Sequence, residues 1–382
     1  MNNKLENQNH LNISDTINLG SYYTNFYLVN IVYNMLKKHI IDMANYTLID
    51  TSCGYGNFLQ YNNYKCIGAD IDSKAIEIAK SYHPHISLFN YNSLNNVSRS
   101  SYKITSQEKI IIIGNPPYND TTSIVKNNIK SLIINVDDDL KTRDLGVSFL
   151  LSYNKLKADF ICVLHPLSYL IKKSNFNLLG SFKNNYRLID SLIISSNQFS
   201  KTSKNIFFPI VIGLYKKDNI GMDYNFIENY LFQTLEGNSF KLKNFDNISN
   251  YITKYPNQQS INKNDAIAFF WTMRDINALK RSKTFINNVN YNTIYITKDK
   301  LEYYCYVDIF KKYIKHIPYY LGNCDIMINN DKFQEIKDIF KFVSLINQPK
   351  LSYLIDINKY NKDICIYIDN YFKSLLGDHF VY

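Results

Sequence analysis

Ile110-Ile111-Ile112-Ile113-Gly114-Asn115-Pro116-Pro117-Tyr118-Asn119 is the stretch from which the rest of the chain can be read. Four consecutive isoleucines predict a buried strand. The polar Asn115 and two prolines then stop it. Paired prolines remove two backbone donors, fix φ and force the preceding residue to be extended. The result is a rigid turn at the carboxyl end of a strand, with carbonyls turned toward a possible ligand. Taken alone, the stretch also suits an ordinary strand that ends in a proline turn, so its neighbours must decide.

The segments before it repeat the pattern. Apolar residues at Leu28, Ile31, Val32, Met35 and Leu36 lie on one face of a helix. The strand Tyr46–Asp50 runs into Thr51-Ser52-Cys53-Gly54-Tyr55-Gly56-Asn57-Phe58-Leu59. A strand that ends in Asp and is followed by G-x-G is the nucleotide-binding turn of a doubly wound sheet. The next strand, Cys66–Asp72, again ends in acids, and Ser73 is placed to cap the helix that follows it. Asp70, roughly 20 residues after the first acid, suits a pair of ribose hydroxyls; Asp72 also suits a helix N-terminal charge. A third strand over 85–89 leads to Asn90-Tyr91-Asn92-Ser93-Leu94, and the isoleucine run is the fourth. Four strand ends thus carry polar or glycine residues on one rim of a parallel sheet, the rim at which ligands bind in open α/β sheets.

Beyond the prolines, residues 119–143 predict a polar loop, and Asp137-Asp138-Asp139 lack the alternating spacing of cation ligands. A helix over 145–157, a strand over 160–164 and a helix after Pro166 continue the alternation. His165, just before that proline, suits a structural role. Strands over 188–194 and 206–215 follow, joined by a loop in which Phe199 stands alone among polar residues. Near Lys216-Lys217-Asp218 the alternation ends and Asn-rich turns such as 244–250 begin. These features predict one domain over 1–217 and a second over 218–382. Glu335-Ile336-Lys337 matches the tail of a nuclease motif but lacks its strand and upstream acids, so an amphipathic helix over 332–342 is expected.

Composition narrows the function. The chain has 382 residues, 46% hydrophobic and 20% charged, as in folded globular proteins. Its net charge of +10 suits a polyanionic partner. Residues 1–218 carry 23 basic and 16 acidic side chains, and residues 219–382 carry 20 and 17. No lysine- or arginine-rich tail stands out. Asn, Ile, Lys and Tyr are abundant, as in the products of AT-rich genomes, so single Lys or Tyr residues carry little weight. The six cysteines form no C-x-x-C pair, which argues against a zinc site and a disulfide framework, and no metal is expected. The first residues contain no signal-peptide core, and the apolar runs are too short to span a bilayer. A cytoplasmic protein without membrane attachment is expected.

Taken together, residues 20–215 resemble the DNA adenine-amino methyltransferases of type II restriction-modification systems. The resemblance is to the group in which the cofactor motifs precede the catalytic one and target recognition lies at the C-terminus. It covers about half the chain. Gly20-Ser21-Tyr22-Tyr23-Thr24 is similar to that group's N-terminal motif, in which Tyr23 and Thr24 would help hold the methionine end of S-adenosylmethionine; Asn25 stands where the family usually has Pro. Residues 50–59 are similar to D-P-A-C-G-S-G-x-F-L, with Thr51 in place of Pro, and imply that Asp50, Cys53, Gly54 and Gly56 border the cofactor. Asp70 falls on the ribose-binding acid and Ile71 beside the adenine. Asn92, Ser93 and Leu94 stand where the family commonly has an Asp that accepts from that adenine; an Asn accepts through its carbonyl, more weakly.

Asn115, Pro116, Pro117 and Tyr118 match the catalytic motif. Phe199 is matched to the aromatic that packs against the flipped base, with Phe207 and Phe208 as competitors. The resemblance implies a Rossmann-like α/β domain that binds S-adenosylmethionine, with a smaller α+β target recognition domain. It also implies methylation at adenine N6 in flipped-out bases of double-stranded DNA, and a cognate restriction endonuclease acting separately. In the second half, Trp271, Arg274 and Arg281 are candidates for base reading. Three alternatives remain open at this stage: an RNA adenine methyltransferase, a protein glutamine methyltransferase that shares Asn-Pro-Pro-Tyr, and a non-catalytic DNA-binding protein on the same fold.

Overall fold

The structure is a computed structural model that describes residues 23–61, 63–118, 135–199, 207–356, 358 and 364–382. Gly20, Ser21, Tyr22, Asn119 and the loop residues 119–134 and 200–206 of the sequence reading lie outside the described residues. The chain falls into two compact units, Met1–Ser239 and Phe240–Tyr382.

The first unit is built on a seven-stranded sheet. Its strands are β1 (Thr47–Asp50), β2 (Lys65–Asp70), β3 (Ser87–Asn90), β4 (Ile110–Gly114), β5 (Phe160–Pro166), β6 (Tyr186–Ser195) and β7 (Pro209–Lys217). Their order across the sheet is β3-β2-β1-β4-β5-β7-β6. The first five strands are mutually parallel, whereas β7 runs antiparallel to both β5 and β6. This is the Rossmann-like α/β sheet expected from the sequence. Ile110 through Ile113 are fully buried, as befits a central strand covered on both faces.

The helices follow from local chemistry. Helix α1 (Phe26–His39) buries Leu28, Val29, Val32, Tyr33, Met35 and Leu36. Asn25, where the family usually has Pro, is its N-cap: its side-chain oxygen accepts from the Leu28 N–H at 3.0 Å. Helix α2 (Ser73–Tyr82) is capped by Asp72, not by Ser73, because the Asp72 carboxylate takes the N–H groups of Lys74 and Ala75. That assignment separates the two acids after β2: Asp72 serves the helix and Asp70 remains on the sheet rim. Helix α3 (Leu145–Lys155) precedes β5, and the single helix expected after Pro166 is three short ones, α4 (Ser168–Ile171), α5 (Lys173–Leu178) and α6 (Gly180–Asn185).

His165 is structural. It is buried, its Nε2 lies 2.6 Å from the Tyr215 hydroxyl, and burial pulls its pKa down to about 4. The acids at 137–139 are engaged locally. Asp137 accepts from the Asn96 and Val97 N–H groups and pairs with Lys155 at 2.9 Å; Asp139 shares Lys155, and Asp138 pairs with Lys141.

The compact units divide past the change of periodicity at 217. Helix α7 (Tyr224–Asn229) and its flanks stay with the first unit: the Tyr224 hydroxyl donates to the Ile171 carbonyl at 2.7 Å, and Leu235 N–H to the Ile193 carbonyl at 2.9 Å. The second unit holds α8 (Ile276–Arg281), α9 (Leu301–Tyr313), α10 (Asn330–Leu345) and α11 (Cys365–Leu376), with a ribbon of β8 (Ala268–Trp271) and β9 (Thr293–Ile296). Helix α10 is the amphipathic helix expected around 332–342 and buries Phe333, Phe340, Phe342 and Leu345. Among the described residues, no helix is long and apolar enough to cross a membrane, and no group of His, Cys, Asp or Glu is placed to hold a metal ion.

Candidate active site

The carboxyl ends of β1, β2, β3 and β4 place Asp50, Asp70, Asn90 and Gly114 along one rim. Next to this rim the chain passes through Asn115, whose amide Nδ2 donates to the Thr24 hydroxyl at 3.1 Å. Thr24 is itself held: its backbone carbonyl accepts from Asn57 Nδ2 at 2.8 Å, and both residues are buried. An amide that donates through nitrogen has its orientation set, because its oxygen then occupies the other position. Thr24, which the resemblance places at the cofactor, thus also orients Asn115. Asn57 completes the relay and carries no motif signal of its own beyond its place after G-x-G.

Replacing Thr24 by Val keeps the volume but removes the acceptor. A buried donor left unpaired costs about 1–3 kcal/mol, which corresponds to roughly 5- to 150-fold in rate if it falls on a positioned amide. Thr24→Val is therefore expected to slow turnover at saturating cofactor within that range, measured by single-turnover kinetics, with calorimetry reading any loss of cofactor affinity separately.

The loop after β1 is tied to its neighbours by short-range bonds. Cys53 N–H donates to the Ala69 carbonyl at 2.9 Å, and the Ser93 hydroxyl to the Thr51 carbonyl at 2.6 Å. Gly54 and Gly56 both take left-handed backbone, at φ 52° and 86°. At Gly56 a Cβ would meet His83 Cδ2 at 2.7 Å, so close packing on α2's end also requires glycine there. Cys53 is buried and its thiol is pushed far up, so it is no nucleophile.

Asp70 carries one bond on each carboxylate oxygen: Oδ2 accepts from Gly54 N–H at 2.8 Å and Oδ1 from Asp72 N–H at 2.9 Å. Burial pushes this carboxyl above its ordinary value, and the N–H groups of Asp72, Gly54 and Ile71 pull it back. Each oxygen keeps a further lone pair for a donor such as a ribose hydroxyl. Beside it Ile71 stands 49% exposed, an apolar side chain at the rim of a polar loop. Asn90 donates to the carbonyls of both Asp70 and Ile71, at 3.1 and 3.0 Å, and so holds this turn. An acid with spare acceptor capacity next to an uncovered apolar face fits a nucleoside, and hence the nucleoside part of S-adenosylmethionine.

Asn92 closes a turn. Its side-chain oxygen accepts from Leu94 N–H at 3.1 Å and its Nδ2 donates to the Asn135 carbonyl at 2.7 Å. The side chains of Ser93 and Leu94 are buried. Tyr23 is half-buried, with its hydroxyl inside.

Asp50 is almost fully buried and accepts from Ser52 N–H at 3.1 Å. Burial raises its carboxyl to about 8, and the charge of Asp70 adds to the rise. An acid whose folded pKa exceeds its ordinary 3.8 holds a proton that the unfolded chain has released, so its contribution to stability is full below about pH 4 and is lost as pH rises through 8. Asp50→Asn is expected to flatten the decline in urea midpoint between pH 5 and 8; an unchanged slope would mean that Asp50 is ionised in the fold.

The Asn-Pro-Pro-Tyr turn ends on Tyr118, which is only 9% exposed. It packs on α3 at Gly146, where a Cβ would lie 2.9 Å from Tyr118 Cβ and 2.5 Å from the Tyr169 hydroxyl. Tyr169 in turn donates to Asp144, the N-cap of α3. Phe199 is 3% exposed and follows a turn whose Gln198 carbonyl accepts from Asn25 Nδ2 at 3.1 Å. That bond brings the end of β6 to the start of α1, next to Thr24. Phe207, in contrast, is 43% exposed, and Phe208 is half-buried and bonded through its backbone to Ser196.

No protein-family model matches the chain, and no curated protein matches it. Solved structures do. The type IIL restriction-modification enzyme MmeI in complex with DNA is similar at 14% identity and a TM-score of 0.42, over 72% of this chain and 47% of that one. A type I restriction-modification methyltransferase subunit from Streptococcus thermophilus is similar at 16% and 0.40, over 59% and 48%. A protein assigned as an RNA methyltransferase, from Pyrococcus horikoshii, is similar at 14% and 0.36, over 53% and 88%. The chain spans less than half the length of the two restriction-modification structures. At these identities and TM-scores none of the likenesses assigns a substrate to this chain.

Proposed function

We propose that this protein is a DNA methyltransferase that modifies the N6 amino group of adenine in duplex DNA, with S-adenosylmethionine as cofactor. The observation that carries the reading is the Asn115 amide, oriented by Thr24 at the end of β4, beside strand ends that carry Asp50 and Asp70. Asp70 binds the ribose hydroxyls, Ile71 lies against the cofactor's adenine, and the Gly54–Gly56 turn lets the backbone come close. When bound, the cofactor supplies a methyl group on a sulfonium, an electrophile that needs an oriented lone pair.

The adenine amino nitrogen is a poor nucleophile because its lone pair is delocalised into the ring. Asn115 Oδ1 and the Pro116 carbonyl accept its two hydrogens and so favour a pyramidal nitrogen. This is positioning combined with electrostatic preorganisation. Pro117 stiffens the turn so that little reorganisation is needed. Tyr118 stacks on the base and presents a π-face to positive charge, and Phe199 supplies the second apolar contact. Adenine inside a duplex cannot reach such a pocket, so the base is flipped out. Residues 218–382 carry target recognition, and the enzyme serves a restriction-modification system with a separate cognate endonuclease.

The decisive experiment incubates radiolabelled S-adenosylmethionine with unmethylated duplex DNA, RNA and cell-extract protein in parallel, then digests the labelled polymer. Methylated adenine in DNA supports the reading. Label in RNA or in protein glutamine overturns the substrate. Cofactor bound without any transfer points to a non-catalytic protein.

A further inference from the structure

We infer that residues 272–292 of the second unit form a surface that grips duplex DNA through Arg274 and Arg281; this deepens the proposed DNA-modifying function and rests on it. Arginine is scarce in this chain, five residues among 43 basic ones. In the first unit the guanidinium is employed in the fold. Arg99 donates to the carbonyls of Leu156, Thr105, Glu108 and Lys157 at 2.6–3.1 Å. Arg187 donates to the Gly221 carbonyl at 3.1 Å and lies 4.1 Å over the Phe226 ring. Arg143 is engaged as well. Arg274 and Arg281 are different: both are exposed, and neither has a hydrogen-bond or ion-pair partner among the described residues.

Their surroundings are built for an anion. Within 272–292 the other cations, Lys280 and Lys283, are also exposed. The one acid of the segment, Asp275, is buried as the N-cap of α8, accepting from Ala278 N–H at 2.7 Å, so the segment itself presents no outward carboxylate, and the neighbouring Asp325 pairs with Lys254. Cations in the last turn of a helix also oppose its dipole, which accounts for Lys280 and Arg281 but not for Arg274 at the other end.

The segment is rigid. One edge of β8 pairs with β9, and its other edge bonds 284–286 through Trp271 N–H to the Thr284 carbonyl and Ile286 N–H to the Phe269 carbonyl, at 2.9 and 3.0 Å. Beneath, Ile276 and Leu279 are buried, and Thr284 donates to Asp308 at 2.6 Å. At the tip, Asn287 through Tyr291 are all exposed, Tyr291 to 89%. Amides and a tyrosine beside a cationic frame suit base edges and sugar-phosphate. A helix with its loop enters the major groove of B-form DNA, whereas the deep, narrow groove of A-form RNA is closed to side chains.

The test measures binding of the full chain to a fluorescent duplex of random sequence, by anisotropy, across 50–200 mM salt. Arg274→Ala/Arg281→Ala is expected to weaken binding about tenfold or more and to reduce the salt slope by roughly 2, one for each lost phosphate contact. Arg274→Lys/Arg281→Lys should retain most of the affinity, and Lys350→Ala/Lys373→Ala, which removes equal exposed charge elsewhere in the unit, should change it far less. Urea unfolding of all variants checks the fold of the second unit. Wild-type binding to duplex that the arginine double variant matches, or that the lysine control loses equally, overturns this inference and leaves the proposed function standing. A wild-type chain that binds RNA and not duplex DNA overturns both.

Discussion

Asn115→Ala is expected to lower methyl transfer by about 10²–10³-fold or more, the cost of losing one preorganised polar group aimed at a reacting centre, while cofactor affinity stays within a few-fold of the parent. The reasoning is geometric. Asn115 is held through its nitrogen by Thr24, and its carbonyl oxygen is the group proposed to accept an amino hydrogen. The cofactor contacts proposed for Asp70, Ile71 and Gly54 come from other strand ends and survive the change. Single-turnover transfer and calorimetric cofactor titration separate the two quantities. Equal loss of both would make Asn115 a structural residue of the turn. Asn115→Asp adds a sharper comparison: it keeps an acceptor but loses the donor to Thr24, and it too should fail in turnover.

Gly114→Ala is expected to destabilise the first unit by about 2–6 kcal/mol, summing overpacking with backbone strain. Gly114 sits at φ 141°, where side-chain-bearing residues are strained, and a Cβ there would lie 2.6 Å from Asp50 Oδ1 and 3.0 Å from its Cγ. Asp50 has nowhere to withdraw, since it is buried and bonded to Ser52 N–H. The Asp50 carboxyl thus packs directly under the residue that precedes Asn115, so the ends of β1 and β4 are in contact. Urea unfolding reads the loss. Adding Asp50→Ala should recover the steric part but not the φ strain, giving a positive coupling in a double-mutant cycle. A Gly114→Ala chain as stable as the parent would refute the contact.

Much of the first unit was legible because its signals are local. Four isoleucines in a row become a central buried strand whatever surrounds them, and Pro116-Pro117 end it by covalent geometry. The Asp50 and Asp70 strand ends and the left-handed Gly54 and Gly56 likewise follow from short-range pattern. Other features were not legible because they join distant residues. Thr24 and Asn115 are 91 positions apart, and nothing in either motif says that one orients the other. Asn92 falls at a cofactor position by resemblance, and nothing in its neighbourhood in the sequence says that its side chain also closes a turn onto Leu94 and reaches Asn135. Asp137 sits in a run of acids that reads as solvated loop, but two backbone N–H groups and Lys155 hold it. Ser73 is as good a cap by residue type as Asp72, and only the helix's starting angle chose between them.

By itself, then, the sequence determined the Rossmann-like alternation, the rim of polar strand ends, the rigid Asn-Pro-Pro-Tyr turn and the basic balance of the chain, because each depends on propensity, covalent constraint or composition within a few residues. The tertiary structure alone decided the antiparallel placement of β7 between β5 and β6, the Asn57–Thr24–Asn115 relay, the seat of Asp50 beneath Gly114, and which arginines the fold leaves unused. Those depend on which distant segments pack together, and only packing can bring a buried acceptor to a donor 91 residues away.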